Sequence, residues 1–278
     1  MALGALPGDP LRGRALVLRY AARLNGRGSN VDGRDLLLEL RVRLAALGDP
    51  ERARTQEAYM KSALPFHGVP SAGVRAICRE VLGRYPFESP AAWRADTRGV
   101  WRGATHREER YAALELTGHR KARALQGLPA TTRAAPPPDA EARARDALAL
   151  YEELVVTGAW WDLVDVVATN RLAPLLVAHR ALVTDAMLAW SGSDDLWRRR
   201  SAVLCQVGLG PATDTGLLLR LIEPALADRS FWLRKAIGWA LRDYARTDAA
   251  FVRAAVDALG PRLSTLSRRE ALKHLARP

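Results

Sequence analysis

Apolar positions recur with a helical period along almost the whole chain, in short segments separated by glycine, proline and asparagine. Over residues 9–25, Leu11, Leu16, Leu18, Ala21, Ala22 and Leu24 are apolar, with arginines between them. A Gly/Asn break at 25–30 follows, and Asp32 is placed to cap a helix over 33–47 that Gly48-Asp49-Pro50 ends. Pro50 suits a first helical turn, so 51–63 reads as the next helix. Ser71 is placed to cap 72–82, Ser89-Pro90 opens a short helix containing Trp93, and Thr97 is placed to cap a further, broken helix that Gly118 ends. Residues 127–139, with Pro136-Pro137-Pro138, cannot be helix interior and read as a loop insertion. Beyond them, 140–157 is amphipathic, with Ala147, Leu150, Tyr151 and Leu154 on one stripe, and Gly158 breaks it. Pro174, Gly192, Gly210-Pro211 and Gly260-Pro261 divide the remainder into helices. No period-2 alternation rich in β-branched residues occurs, so the expected fold is all-α.

Two segments echo each other: Leu196-Trp197-Arg198-Arg199-Arg200-Ser201-Ala202 and Phe231-Trp232-Leu233-Arg234-Lys235-Ala236-Ile237. Trp197 and Trp232 stand 35 residues apart, a spacing that suits two-helix repeats stacked into an α-solenoid. A globular helical bundle is the alternative. On the solenoid reading, inner helices begin near Trp160, Asp194 and Ser230 and line a concave, basic groove.

Composition narrows the function. The net charge is +12, with 42 basic against 30 acidic residues, and all but Lys61, Lys121, Lys235 and Lys273 of the basic residues are arginines. Codon bias accounts for arginine in place of lysine but not for the excess over acids, so a polyanionic partner is expected. No segment is long and apolar enough to span a membrane, and no secretory signal opens the chain. Cys78 and Cys205 sit in apolar helical patterns and read as buried free thiols of a cytoplasmic protein. The histidines at 67, 106, 119, 179 and 274 show no metal-ligand spacing, and no phosphate-binding glycine loop or GxSxG is present. No metal or cofactor is expected.

What remains is acid and aromatic. In Trp160-Trp161-Asp162-Leu163-Val164-Asp165, a helix would put Trp161 and Asp165 on one face, four apart. Such a pair can hold a cation, or be a core tryptophan beside a solvated acid. Trp197 with Arg200, Trp239 with Arg242, and Lys235 with Trp239 share faces in the same way, although a repeat-position tryptophan is commonly core. A carboxylate with aromatics in a basic groove suits cleavage of a glycosidic bond through an oxocarbenium-like state while a polyanion is bound. A cationic N3- or N7-alkylated purine leaves without a general acid, so one carboxylate could suffice.

Several blocks together resemble the AlkD-type DNA glycosylases, a HEAT-like-repeat family acting on alkylated purines. They are Glu57-Ala58-Tyr59-Met60-Lys61 with Pro65-Phe66 and Gly68-Val69; the Trp160–Asp165 stretch; the Trp197 and Lys235–Tyr244 blocks; and Leu266-Ser267-Arg268-Arg269-Glu270-Ala271. They fall in family order from about residue 35 onward. The resemblance implies a monomeric base-excision-repair enzyme acting on double-stranded DNA with alkylated purines, leaving the damaged base stacked rather than flipped. It implies Asp165 as the catalytic acid, with Trp161 and Trp239 against the lesion sugar. Arg200 would contact the DNA backbone, Tyr59 would line the groove, and Trp197, Lys235, Arg242, Lys61 and Arg234 complete the expected DNA contacts. Asp162 is the competitor of Asp165 for the acid role, and only Asp165 matches the family acid. A non-catalytic HEAT-like DNA-binding or scaffold protein is the alternative, and an RNA-directed protein of the same fold a third.

Two regions depart from shorter members: the 127–139 insertion, and residues 1–34, a helical extension where six arginines face Asp9 and Asp32. The expected organisation is that extension followed by a repeat domain over 35–278. Some relatives protect antibiotic producers from their own DNA-alkylating products, a self-resistance role, and the arginine-rich composition suits a GC-rich producer organism.

Overall fold

Every regular element among the described residues is helical. The computed structural model describes residues 33–131 and 133–275, and the helix expected over 9–25 and the basic arm around it lie outside them. None of the described helices is long and apolar enough to cross a membrane. Packing divides the chain between Ala122 and Arg123 into two units, so the repeat region expected over 35–278 has a packing boundary inside it.

The first unit contains α1 (Gly33–Ala46), α2 (Pro50–Met60), α3 (Ser71–Arg84), α4 (Pro90–Gly103) and α5 (Arg107–Gly118). Helix α1 packs on α3, α4 and α5, inserting Leu36, Leu40 and Leu44, a stripe at i, i+4 and i+8. Trp93 and Trp101 of α4 fill the centre and are buried. Asp49 caps α2 by accepting from the N–H groups of Glu51 and Arg52, and Ser89 caps α4 through the Ala92 N–H. Two expected caps are corrected. Ser71 is the first helical residue of α3, with Pro70 at the cap position and no side-chain bond. Thr97 lies inside α4 and turns its hydroxyl back to the Trp93 carbonyl at 2.8 Å.

The second unit contains α6 (Ala140–Gly158), α7 (Trp161–Val167), α8 (Ala173–Ala178), α9 (Arg180–Ser191), α10 (Leu196–Leu204), α11 (Thr215–Ile222), α12 (Phe231–Tyr244), α13 (Ala249–Leu259) and α14 (Thr265–Ala271). Helices α7, α10, α12 and α14 pack in that order, each on the next, with α6, α9, α11 and α13 beside them as the second helix of each pair. This all-helical stack of helix pairs is the arrangement of an α-solenoid. Trp161, Leu196 and Phe231 are each the first residue of their helix, so the 35-residue step is structural. Residues 127–139, as far as described, form no α-helix and lie in the second unit ahead of α6, where Arg123 Nε donates to the Pro129 carbonyl at 2.9 Å.

Gly238 explains how closely α12 and α14 approach. A Cβ there would lie 2.5 Å from the Glu270 Cβ and 2.8 Å from the Ser267 carbonyl oxygen, too close for any larger residue without a shift. Cys78 and Cys205 are buried free thiols, and burial pushes both up to about 12.

Candidate functional site

Helix α7 begins abruptly. Ala159 takes a left-handed conformation (φ 43°), Trp160 is extended, and the Trp160 carbonyl accepts from Leu163 at 3.2 Å and Val164 at 3.0 Å. Asp165 follows one turn after Trp161. Past Val167 the helix widens into a π-turn over Ala168–Leu172, just before Pro174, whose nitrogen cannot supply a backbone donor. The Thr169 hydroxyl bonds the Asp165 carbonyl at 2.8 Å, so this widened turn is tied to the residue at the site.

The Asp165 carboxylate is gripped by a guanidinium. Arg200 of α10 donates through Nε to Oδ1 at 2.7 Å and through Nη2 to Oδ2 at 2.8 Å. Its Nη1 donates to the Trp232 carbonyl, and the guanidinium lies 5.9 Å from the Trp232 ring centroid. The side chains of Asp165 and Arg200 are 14% and 5% exposed, so the acid is the member nearer solvent. Burial lifts the Asp165 carboxyl above its ordinary range, the Arg200 bonds and charge oppose that lift, and the charge of Asp162 adds to it. The two-point ion pair sets both oxygens of the Asp165 carboxyl against the planar fork of one guanidinium.

Behind this pair stands an aromatic cluster. Trp160, Trp197 and Trp232 have mutual centroid distances of 6.1, 5.3 and 6.0 Å. Trp197, expected to touch DNA, is only 8% exposed and packs in this cluster. Arg200, expected at the DNA backbone, spends at least three of its five donors inside the protein. Trp161 and Trp239 are half-buried, and Trp239 packs against the apolar core formed by α10–α14.

A second ion pair repeats the first one level on. Lys235 Nζ lies 3.0 Å from Glu270 Oε1, and Arg242 donates to Oε2 of the same carboxylate. Lys235 holds the Glu270 carboxyl below its usual range, with Arg242 acting in the same direction. Asp165, Arg200, Lys235 and Glu270 are thus one column, each member 35 residues beyond the last. Glu270 escapes attention as a single acid in sequence, yet the same 35-residue step leads to it from Lys235. Arg234 is half-buried, with Nε donating to the Asp228 carbonyl at 3.0 Å.

Tyr59 and Lys61 belong to the first unit. Tyr59 is 75% exposed, and Lys61 is exposed and takes a left-handed conformation (φ 48°) where α2 ends.

That unit also gathers His67, His106 and Glu109, which the sequence scatters. Their donor atoms lie within 4.8 Å of one another. Two facts weigh against a metal in this arrangement. The imidazoles stack with centroids 3.7 Å apart and planes within 11°, and a metal lies in the plane of each imidazole it binds, which two parallel planes cannot share. Arg41 already takes both Glu109 oxygens, at 2.8 and 3.0 Å. The cluster reads as a buried ion network, in which Glu109 is lowered to about 2 by His67, Arg41 and the Thr105 N–H against the opposing effect of burial. The neighbouring Glu108, buried, accepts from the N–H groups of His67, Gly68 and Val69 and fixes the loop after α2.

No curated protein matches the chain. Among solved structures, it is similar to the "Predicted DNA alkylation repair enzyme from Enterococcus faecalis", with 26% sequence identity and a TM-score of 0.67. That similarity covers 83% of this chain and 98% of the other. The profile described as "DNA alkylation repair enzyme" matches residues 40–275, and the chain belongs to that family.

Proposed function

We propose that the protein is a monofunctional DNA glycosylase hydrolysing the N-glycosidic bond of cationic N3- or N7-alkylated purines in duplex DNA. The observation that carries this reading is the Asp165 carboxylate, held in a largely buried site by Arg200, on the helix that begins with Trp161. As the C1′–N bond breaks, its electron pair neutralises the cationic purine, and positive charge passes to the deoxyribose. Asp165 stabilises that charge and orients water toward C1′, and the proton released by the water passes to solvent. Trp161 and Trp239 face the sugar, where attraction to an aromatic ring grows with its positive charge. The base remains stacked, so its substituents are not sized by a pocket, and bulky adducts as well as methyl groups are accommodated. No lysine attacks the sugar, and the product is an abasic site without strand cleavage. Lys235, Arg242, Arg234, Lys61 and Tyr59 contribute to holding the duplex.

The test is single-turnover release of 7-methylguanine, 3-methyladenine and a bulky N3-adenine adduct from duplexes. Asp165→Asn is expected to lose most release while retaining duplex affinity. Undiminished release by that variant overturns the mechanism. Binding without release by the wild-type protein favours a non-catalytic DNA-binding role instead.

A further inference from the structure

The second unit leaves one large aromatic side chain open. Phe231 is 55% exposed, and Val177 is the other strongly exposed large apolar side chain among the described residues of that unit. Phe231 is placed by the repeat. It is the first residue of α12, as Trp161 is of α7 and Leu196 of α10, so it occupies the position of Trp161 two repeats further on. The stacking order α7, α10, α12 puts these three positions in one row along the same layer of helices.

Phe231 is also backed rather than free to fold away. Its ring meets Trp232 edge to face, with centroids 5.1 Å apart and planes at 79°. Trp232 in turn packs on Trp160 and Trp197, and its carbonyl receives Arg200, the holder of Asp165. An exposed ring on a rigid aromatic base loses little side-chain freedom when it binds, which suits a contact surface. The exposed Arg229 stands two residues before it, offering a cation beside the ring.

We propose that Phe231 is a second aromatic contact with the substrate duplex, packing against sugar and base edges away from the lesion. This rests on the glycosylase reading for the lesion site but not on the chemistry. The distance follows from helix geometry. Phe231 and Trp239 are eight residues apart on α12, about 12 Å along the helix. Phe231 and Trp161 are two inner helices apart, at about 8–10 Å each. At 3.4 Å per base pair, the contact falls roughly four to six base pairs from the damaged nucleotide, on one flank.

The experiment measures equilibrium affinity by fluorescence anisotropy, with duplexes carrying 7-methylguanine and a set truncated stepwise on either side of it. Phe231→Ala is expected to weaken binding to the long duplex by about tenfold, since loss of an aromatic–base contact reaches that size. Phe231→Tyr is expected to retain affinity, and Val177→Ser to change nothing. The salt dependence is expected to stay as in wild type, because no phosphate contact is removed. On duplexes cut to about three base pairs on the contacted flank, wild type and Phe231→Ala are expected to bind alike. Single-turnover release at saturating protein is expected to be unchanged. Equal affinity of wild type and Phe231→Ala on the long duplex overturns the proposal, as does a deficit that persists on every truncated duplex. If the glycosylase reading fails and no base is released, the affinity measurements still decide the role of Phe231.

Discussion

Replacing Arg200 by methionine keeps much of the aliphatic bulk of the side chain and removes its fork. Two bonds to Asp165 and one to the Trp232 carbonyl are lost. The stranded group is an acid whose side chain is only 14% exposed. Removing one partner of a buried ion pair costs about 3–5 kcal/mol, because the other charge stays poorly solvated. In urea this corresponds to a midpoint lowered by about 1–2 M for the transition of the unit that contains the pair.

The same substitution changes the protonation of Asp165. With Arg200 gone, burial and the charge of Asp162 both act to raise its carboxyl further, and nothing opposes them within the pair. An acid raised in the folded state binds protons that the unfolded chain has released. Stability of Arg200→Met is therefore expected to fall as pH rises above the ordinary aspartate range, and base release to recover with rising pH as Asp165 ionises. Denaturation and single-turnover release, each followed against pH, check the two effects. A variant with wild-type midpoint and pH profile, whose loss is confined to a salt slope smaller by about 0.9, would refute this and make Arg200 a phosphate contact.

Gly238→Ala is expected to force α12 away from α14 and cost about 1–3 kcal/mol, read by chemical denaturation. Lys61→Ala, at an exposed cation, is expected to reduce the salt slope of duplex binding by about 0.9 and leave release at saturation unchanged. Burial, and then the charge of the stacked His67, hold the His106 imidazole below its ordinary range. The unfolded chain therefore binds the extra proton first, and stability of the first unit is expected to fall as pH drops through about 6.5, measured as a lower melting temperature at pH 5.5 than at 7.5.

The helical class and most helix positions follow from apolar periodicity and from Gly/Pro punctuation, which act locally. Caps are less legible, because a hydroxyl serves as a cap only if the backbone at its own position is non-helical. Ser71 and Thr97 have suitable side chains but helical backbones. The Trp161–Asp165 face was readable from a spacing of four. The partner of Asp165 was readable as a residue but not as a partner, since sequence counts an arginine without saying where its fork points. Trp197 shows the same limit: its helical position is regular, and only the rings of Trp160 and Trp232 decide that it is core. The His67–Glu109 contact joins residues 42 apart through the packing of different elements, so no periodicity announces it.

On the proposed glycosylase reading, the column of four charges separates two tasks. At Glu270 one acid meets two cations, Lys235 and Arg242, so that level keeps a net positive charge for a polyanion. At Asp165 one acid meets one cation, and the acid lies nearer solvent. A sugar cation about 4 Å from the carboxylate, with the guanidinium about 8 Å behind, gains about 4 kcal/mol and loses about 2 at an effective dielectric of about 20. Asp165→Asn removes the gain and leaves the repulsion, a change of about 4 kcal/mol or about a thousandfold in release. Asp165→Asn with Arg200→Met removes both, a net loss of about 2 kcal/mol or about thirtyfold. The double variant is therefore expected to release base faster than Asp165→Asn alone, and to regain most of the stability that Arg200→Met loses. Single-turnover rates of the three variants on one 7-methylguanine duplex check the order. A double variant slower than Asp165→Asn would mean that Arg200 assists the reaction itself rather than only holding the carboxylate.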